Sequence, residues 1–166
     1  RISPLTSESR RSVFIIDDSF YDRSRSKKAE LLTKVYDHAK HVYGYGYRLL
    51  TLGWSDGNSF IPVNFCLMSS KDTKKQLAGE KQKQYQAAKT RRALAQQAAP
   101  DTALALLKQA KAAGIKATHV LFDSWFSFPA MILSVAELGY HTIAMVKKSK
   151  KIYYEFNGKR QSVKDI

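Results

Sequence analysis

Two short apolar runs in this chain each end in a carboxylate. Val13-Phe14-Ile15-Ile16 leads into Asp17-Asp18-Ser19, and His119-Val120-Leu121-Phe122 leads into Asp123-Ser124-Trp125. Runs of β-branched and aromatic residues this short predict strands, and the unbroken first run predicts one buried on both faces. Residues 47–54 and 59–68 are strand-like and flank a Ser55-Asp56-Gly57-Asn58 turn, which predicts an antiparallel hairpin. Pro62 inside the second of these requires an edge position or a bulge, because proline cannot donate to a ladder. Residues 141–147 predict a fifth strand, and residues 151–163 a small hairpin turning on Asn157-Gly158.

Helical spacing is clearest over 100–113, where Leu104, Leu107 and Ala110 share a face and Gly114 supplies the stop. Pro129 opens a second helix through Leu138, closed by Gly139. Residues 29–41 predict a short helix of irregular spacing, and Gly44 and Gly46 then punctuate the chain before the next strand. Residues 71–92 are rich in Lys, Arg and Gln, with Leu77 and Tyr85 in only a thin stripe. They predict a solvated helix or partly disordered insert over about 71–98.

The predicted order is a three-strand antiparallel meander, then helix, strand, helix, strand. That is the order of an RNase H-like α/β domain. Its mixed five-stranded sheet has three antiparallel strands followed by two parallel ones, flanked by helices. In that topology the first and fourth strands are neighbours at the middle of the sheet, so Asp17 and Asp123 meet. Residues 1–150 are expected to form this core, and residues 151–166 to open a β-hairpin insertion.

Composition points to the partner. Lys and Arg number 28 against 14 Asp and Glu, a net charge of +14 over 166 residues, which favours a polyanion. The single cysteine, Cys66, excludes an internal disulfide and a multi-cysteine zinc module and fits a reducing cytoplasm. No apolar run approaches the roughly 20 residues that cross a bilayer, so no membrane partner is expected. Arg23 and Arg25 follow the first strand, and Lys147, Lys148, Lys150 and Lys151 follow the fifth, with Tyr153 and Tyr154 beside them. These are the candidate DNA contacts, cations for phosphates and rings for exposed bases. Trp125, two residues past Asp123, is a candidate for the wall of the same groove. His38 and His41 beside Asp37 have no second ligand pair elsewhere to complete a zinc site. The chain has no phosphate-binding glycine loop and no nucleophile elbow.

A carboxylate at the tip of an apolar strand must be paired or hold a cation if it is buried. Two such tips side by side offer hard oxygen ligands, which suits Mg²⁺, with Mn²⁺ as a substitute. A pair of these ions about 4 Å apart stabilises both the attacking and the leaving oxygen in phosphodiester chemistry. Strand alternation turns Asp17 and Asp18 to opposite faces, and Asp17 is the expected ligand. The competing use of a strand-end aspartate is to cap a turn.

With those residues placed, the chain resembles a DDE transposase of the bacterial insertion-sequence type, in the RNase H-like and retroviral integrase superfamily. The likeness rests on Ile16-Asp17-Asp18-Ser19, on Gly53-Trp54-Ser55-Asp56-Gly57 with Phe60-Ile61-Pro62, and on Leu121-Phe122-Asp123-Ser124-Trp125-Phe126. The resemblance implies a core that nicks DNA at the ends of a mobile element and joins the freed 3′-hydroxyl to target DNA. It makes Asp17 and Asp123 the first two members of an acidic triad. The third, a glutamate on a helix beyond the fifth strand, matches neither Glu137 nor Glu155, so no third carboxylate is expected within this chain. The fragment alone is then expected to hold metal poorly and catalyse little. Its partners would be transposon ends and target DNA, its DNA-bound state a homo-oligomer, and its place the bacterial cytoplasm at the nucleoid. Two other readings fit the same residues: an RNase H-like nuclease that cuts without joining, and a non-catalytic DNA-binding or assembly module.

Overall fold

Alternation sets the first strand, β1 (Val13–Asp22): Phe14 and Ile16 are buried, while Val13 and Ile15 on the opposite face are half-buried. The structure is a computed structural model and describes residues 10–26, 28–77, 86–146, 153–162 and 165. After β1 come β2 (Thr33–Asp37), β3 (Val42–Ser55), β4 (Phe60–Met68), α1 (Gln86–Ala95) and α2 (Ala99–Ala112). Then follow β5 (His119–Phe122), α3 (Pro129–Glu137), β6 (His141–Ala144), β7 (Tyr154–Phe156) and β8 (Lys159–Gln161).

Six strands form one mixed sheet in the order β2-β3-β1-β5-β6, with β4 also paired to β3; β7 and β8 form a separate hairpin. β1 is antiparallel to β3 along its whole length and parallel to β5, and β5 is parallel to β6. The buried cluster joins Phe14 and Ile16 of β1, Leu50, Leu52 and Trp54 of β3, and Val120 and Phe122 of β5. Leu106 and Leu107 of α2 and Met131 and Val135 of α3 pack into it. Full burial of side chains this large stabilises by roughly 1.5–3 kcal/mol each relative to exposure. On α2 the inward face centres on Leu106 and Leu107, whereas Leu104 is only partly covered.

The segment expected to be a helix over 29–41 is instead β2. Leu31 takes a left-handed φ of 62°, which interrupts any helical path; Thr33, Val35 and Tyr36 are strand formers, and Thr33–Asp37 pairs antiparallel with Val42–Gly46. The sheet therefore has six strands rather than five. Asp37 closes this hairpin: its Oδ1 accepts the backbone N–H of Ala39 and Lys40, and His41 adopts φ 55°.

Gly44 and Gly46 lie inside β3 rather than before it. The ring of Phe20 presses on both positions, and a Cβ at Gly46 would collide with the carbonyl oxygen of Tyr21. Pro62 sits where expected, on a strand paired on one side, next to a register shift at Leu52/Gly53. Of the basic segment expected as an insert, residues 78–85 lie outside the described residues, and α1 is largely exposed. α1 buries Ala88 and Ala95 and lies against β4, and Arg92 reaches Glu30 Oε1 at 2.7 Å. Gly114 (φ 75°) and Gly139 (φ 84°) end their helices, and Asn157 and Gly158 (φ 51° and 70°) turn the last hairpin.

Candidate active site

β5 stops at Phe122, while β1 runs on for six residues past its partner Ile16. The next residue on each strand is an aspartate. Asp123 therefore stands just past the carboxyl end of β5, beside Asp17, which lies within β1 rather than at its tip as the apolar run predicted; neighbouring strand backbones are spaced by about 4.8 Å. The early end of β5 opens a notch beside β1, a depression of about 480 Å³. Asp17, Asp18 and Asp123 line it together with Arg48, Trp125 and residues 35–39 of the β2–β3 hairpin. Glu137 and Glu155 do not line it.

The three aspartates differ in their commitments. Asp17 is exposed and, among the described residues, accepts no hydrogen bond and makes no ion pair. Asp123 is also exposed; its Oδ1 accepts the backbone N–H of Trp125 at 2.9 Å, a turn-capping bond that occupies one oxygen. Asp18 shares the face of Phe14 and Ile16 and is half-buried. It forms a salt bridge with Arg48, which sits diagonally across the β1–β3 ladder, since Asp18 faces Leu50 and Arg48 faces Phe20. Burial pushes the Asp18 carboxyl above its ordinary range. Arg48 pulls it back, and the charges of Asp17 and Asp123 push it up again.

Arg48 also lies over the indole of Trp125, 5.6 Å from the ring centroid, and the His38 ring stands 6.0 Å from the same indole. Arg48 thus ties β3 to β1 through Asp18 and to the turn after β5 through Trp125. Trp125, placed by the sequence in the groove wall, is in it and is 52% exposed. Arg23 and Arg25 are not brought to the carboxylates; they line a different hollow with Asp22, Ser24 and Ser26. Lys147, Lys148, Lys150 and Lys151 lie outside the described residues.

Arg48 and the hairpin residue Tyr36 were not singled out from the sequence, and His38 was weighed only as a zinc ligand. The signal for Arg48 was present: it continues the alternation Trp54, Leu52, Leu50, all buried, so it is a charge on an inward face that requires a carboxylate of matching parity. Asp18 is that carboxylate. Nothing local marked the hairpin, because the contact of His38 with Trp125 joins residues far apart in the chain.

Among the described residues no group of three or more His, Cys, Asp or Glu side chains is placed to hold a metal ion. The pair Asp17 and Asp123 nevertheless suits a hard divalent cation. Mg²⁺ is commonly bound through one or two carboxylates with water completing its shell, and both aspartates are exposed. No described helix is long and apolar enough to cross a membrane.

Among known families, one described as a DDE superfamily endonuclease matches residues 1–165. No curated protein and no solved structure matches the chain.

Proposed function

The chain belongs to the DDE superfamily endonuclease family, a family of transposase-type nucleases, and from that premise we propose that it is the RNase H-like catalytic core of a DNA transposase. In this reading Asp17 and Asp123 hold Mg²⁺, and the protein cuts DNA strands at the ends of a mobile element and joins the freed 3′-hydroxyl to a target. The observation that carries it is the parallel pairing of β1 with β5, which ends at Ile16 and Phe122 and is followed on each side by an exposed aspartate.

Mg²⁺ bound there would activate the attacking oxygen and neutralise charge on the scissile phosphate. The protein's own residues do the positioning. Asp123 fixes the turn that carries Trp125, and Arg48 holds Asp18 in a salt bridge, which leaves Asp17 as the carboxylate of β1 free to meet a cation. Neither Glu137 nor Glu155 lines the pocket, so the third carboxylate that the family's triad implies is assigned to neither.

The test is made on the full polypeptide with Mg²⁺ and DNA carrying the element's ends. Asp17→Asn and Asp123→Asn should each lower strand cleavage by roughly a hundredfold or more, since each removes a ligand for transition-state charge. Gel-shift affinity for the same DNA in EDTA should be unchanged. Undiminished cutting by either variant refutes the assignment. A wild-type protein that yields cleaved ends but never joined products is a nuclease without transposition.

A further inference from the structure

The β2–β3 hairpin carries a chain of touching rings that ends at the carboxylates. Tyr43 meets Tyr36 with ring centroids 5.0 Å apart, Tyr36 meets His38 at 5.0 Å, and His38 meets Trp125 at 6.0 Å. A cation stands at each end: Lys34 Nζ is 4.9 Å from the Tyr43 centroid, and Arg48 Cζ is 5.6 Å from that of Trp125. The two terminal rings are Tyr43 at 65% and Trp125 at 52% exposure, while between them His38 is also exposed and Tyr36 is half-buried. The main core lies elsewhere and uses none of these side chains.

Large rings displayed in a row, interleaved with cations and leading to a phosphodiester-cutting site, match one chemical form of nucleic acid. In a duplex the base faces are already stacked on one another. An unpaired base has free faces, and aromatic side chains take them with little regard to sequence. The rings here are in edge or tilted contact with their neighbours, so no slot between them admits a base. A base must lie on an outward face, and Trp125 and Tyr43, the large exposed rings at the two ends, offer the widest ones. Lys34, which is exposed, is then placed to meet a backbone phosphate, while Arg48 stays with Asp18.

We propose that Tyr43, Tyr36, His38 and Trp125 form a stacking rail for unpaired nucleotides, which holds a single-stranded stretch of DNA against Asp17 and Asp123. Trp125 and Tyr43 are the platforms; Tyr36 and His38 brace them. The proposal rests on the DNA-cutting reading of the pocket, but its test needs no cleavage.

The full polypeptide is titrated in EDTA with a single-stranded oligonucleotide containing 2-aminopurine and with the matching blunt duplex. Both are read by fluorescence anisotropy, and the single strand also by quenching. Trp125→Ala and Tyr43→Ala should each weaken single-strand binding about tenfold and relieve the quenching, with duplex affinity held within about twofold. Tyr43→Phe, which keeps the ring, should bind as wild type. It also guards against misreading a fold defect, because Tyr43 lies outside the turn that positions Asp123. Equal losses for single strand and duplex, or no loss for either, overturn the rail. So does a lower melting temperature with the single-strand preference intact, which would make the rings a brace for the hairpin only. If Asp17→Asn leaves cutting undiminished, the transposase reading fails while these binding data still decide the rail.

Discussion

Asp18 and Arg48 show how one register position separates two adjacent carboxylates. Asp17 points to the open side of β1, whereas Asp18 is drawn onto the core face, where only a guanidinium makes its charge tolerable. Burial nevertheless dominates and raises its proton affinity above the ordinary value of 3.8. The unfolded chain therefore loses this proton first as pH rises. Asp18's contribution to stability is full below the unfolded value and is lost as pH climbs through the raised folded one. An asparagine at this position cannot ionise. In urea melts between about pH 3 and pH 6, the stability difference between wild type and Asp18→Asn should shift in favour of the variant as pH increases. A difference that stays flat, or shifts toward the wild type, contradicts the assignment.

At the scale of elements, β3 controls the site, because both the β1 ladder and the β2 hairpin hang from it. Its glycines test how tightly. At Gly46 an added methyl group meets the Tyr21 carbonyl oxygen, part of the neighbouring strand's backbone, and the ring of Phe20 beside it. Neither strand can retreat without opening the ladder, so Gly46→Ala should destabilise by about 1–3 kcal/mol. At Gly53 the added methyl meets only the ring of Phe60, which is 57% exposed and free to rotate away. Gly53→Ala should stay within about 0.5 kcal/mol of the wild type. Equilibrium urea denaturation of both variants checks the ranking, and Gly53→Ala being the worse of the two would show that backbone contact does not set the cost.

At the scale of the whole molecule the net charge of +14 governs association more than architecture. Binding to duplex DNA should be strongly salt-dependent, because each neutralised phosphate releases counterions. If roughly six to ten phosphates are contacted, affinity should fall by about a thousandfold or more between about 50 and 200 mM salt. Anisotropy titrations over that range measure the slope; an affinity insensitive to salt would place the excess charge away from the DNA.

Much of the outline was legible in the residues themselves, where the cause is local. Asn157-Gly158 and Gly139 encode their turns in their own backbone preferences, Pro129 starts its helix, and the apolar runs before Asp17 and Asp123 make strands of their flanks. A helix over 29–41 was read because sparse apolar spacing is compatible with either period. Pairing with β3 decides for a strand, and that pairing involves residues beyond the window. The sequence by itself determined two strands whose apolar runs lead into an aspartate, the closing turns and a basic chain. Only the tertiary structure decided that β1 runs on past Asp17, that Asp18 and not Asp17 meets Arg48, and that a hairpin's rings reach Trp125. Those outcomes depend on register and on contacts between residues far apart in the chain, which local preference does not encode.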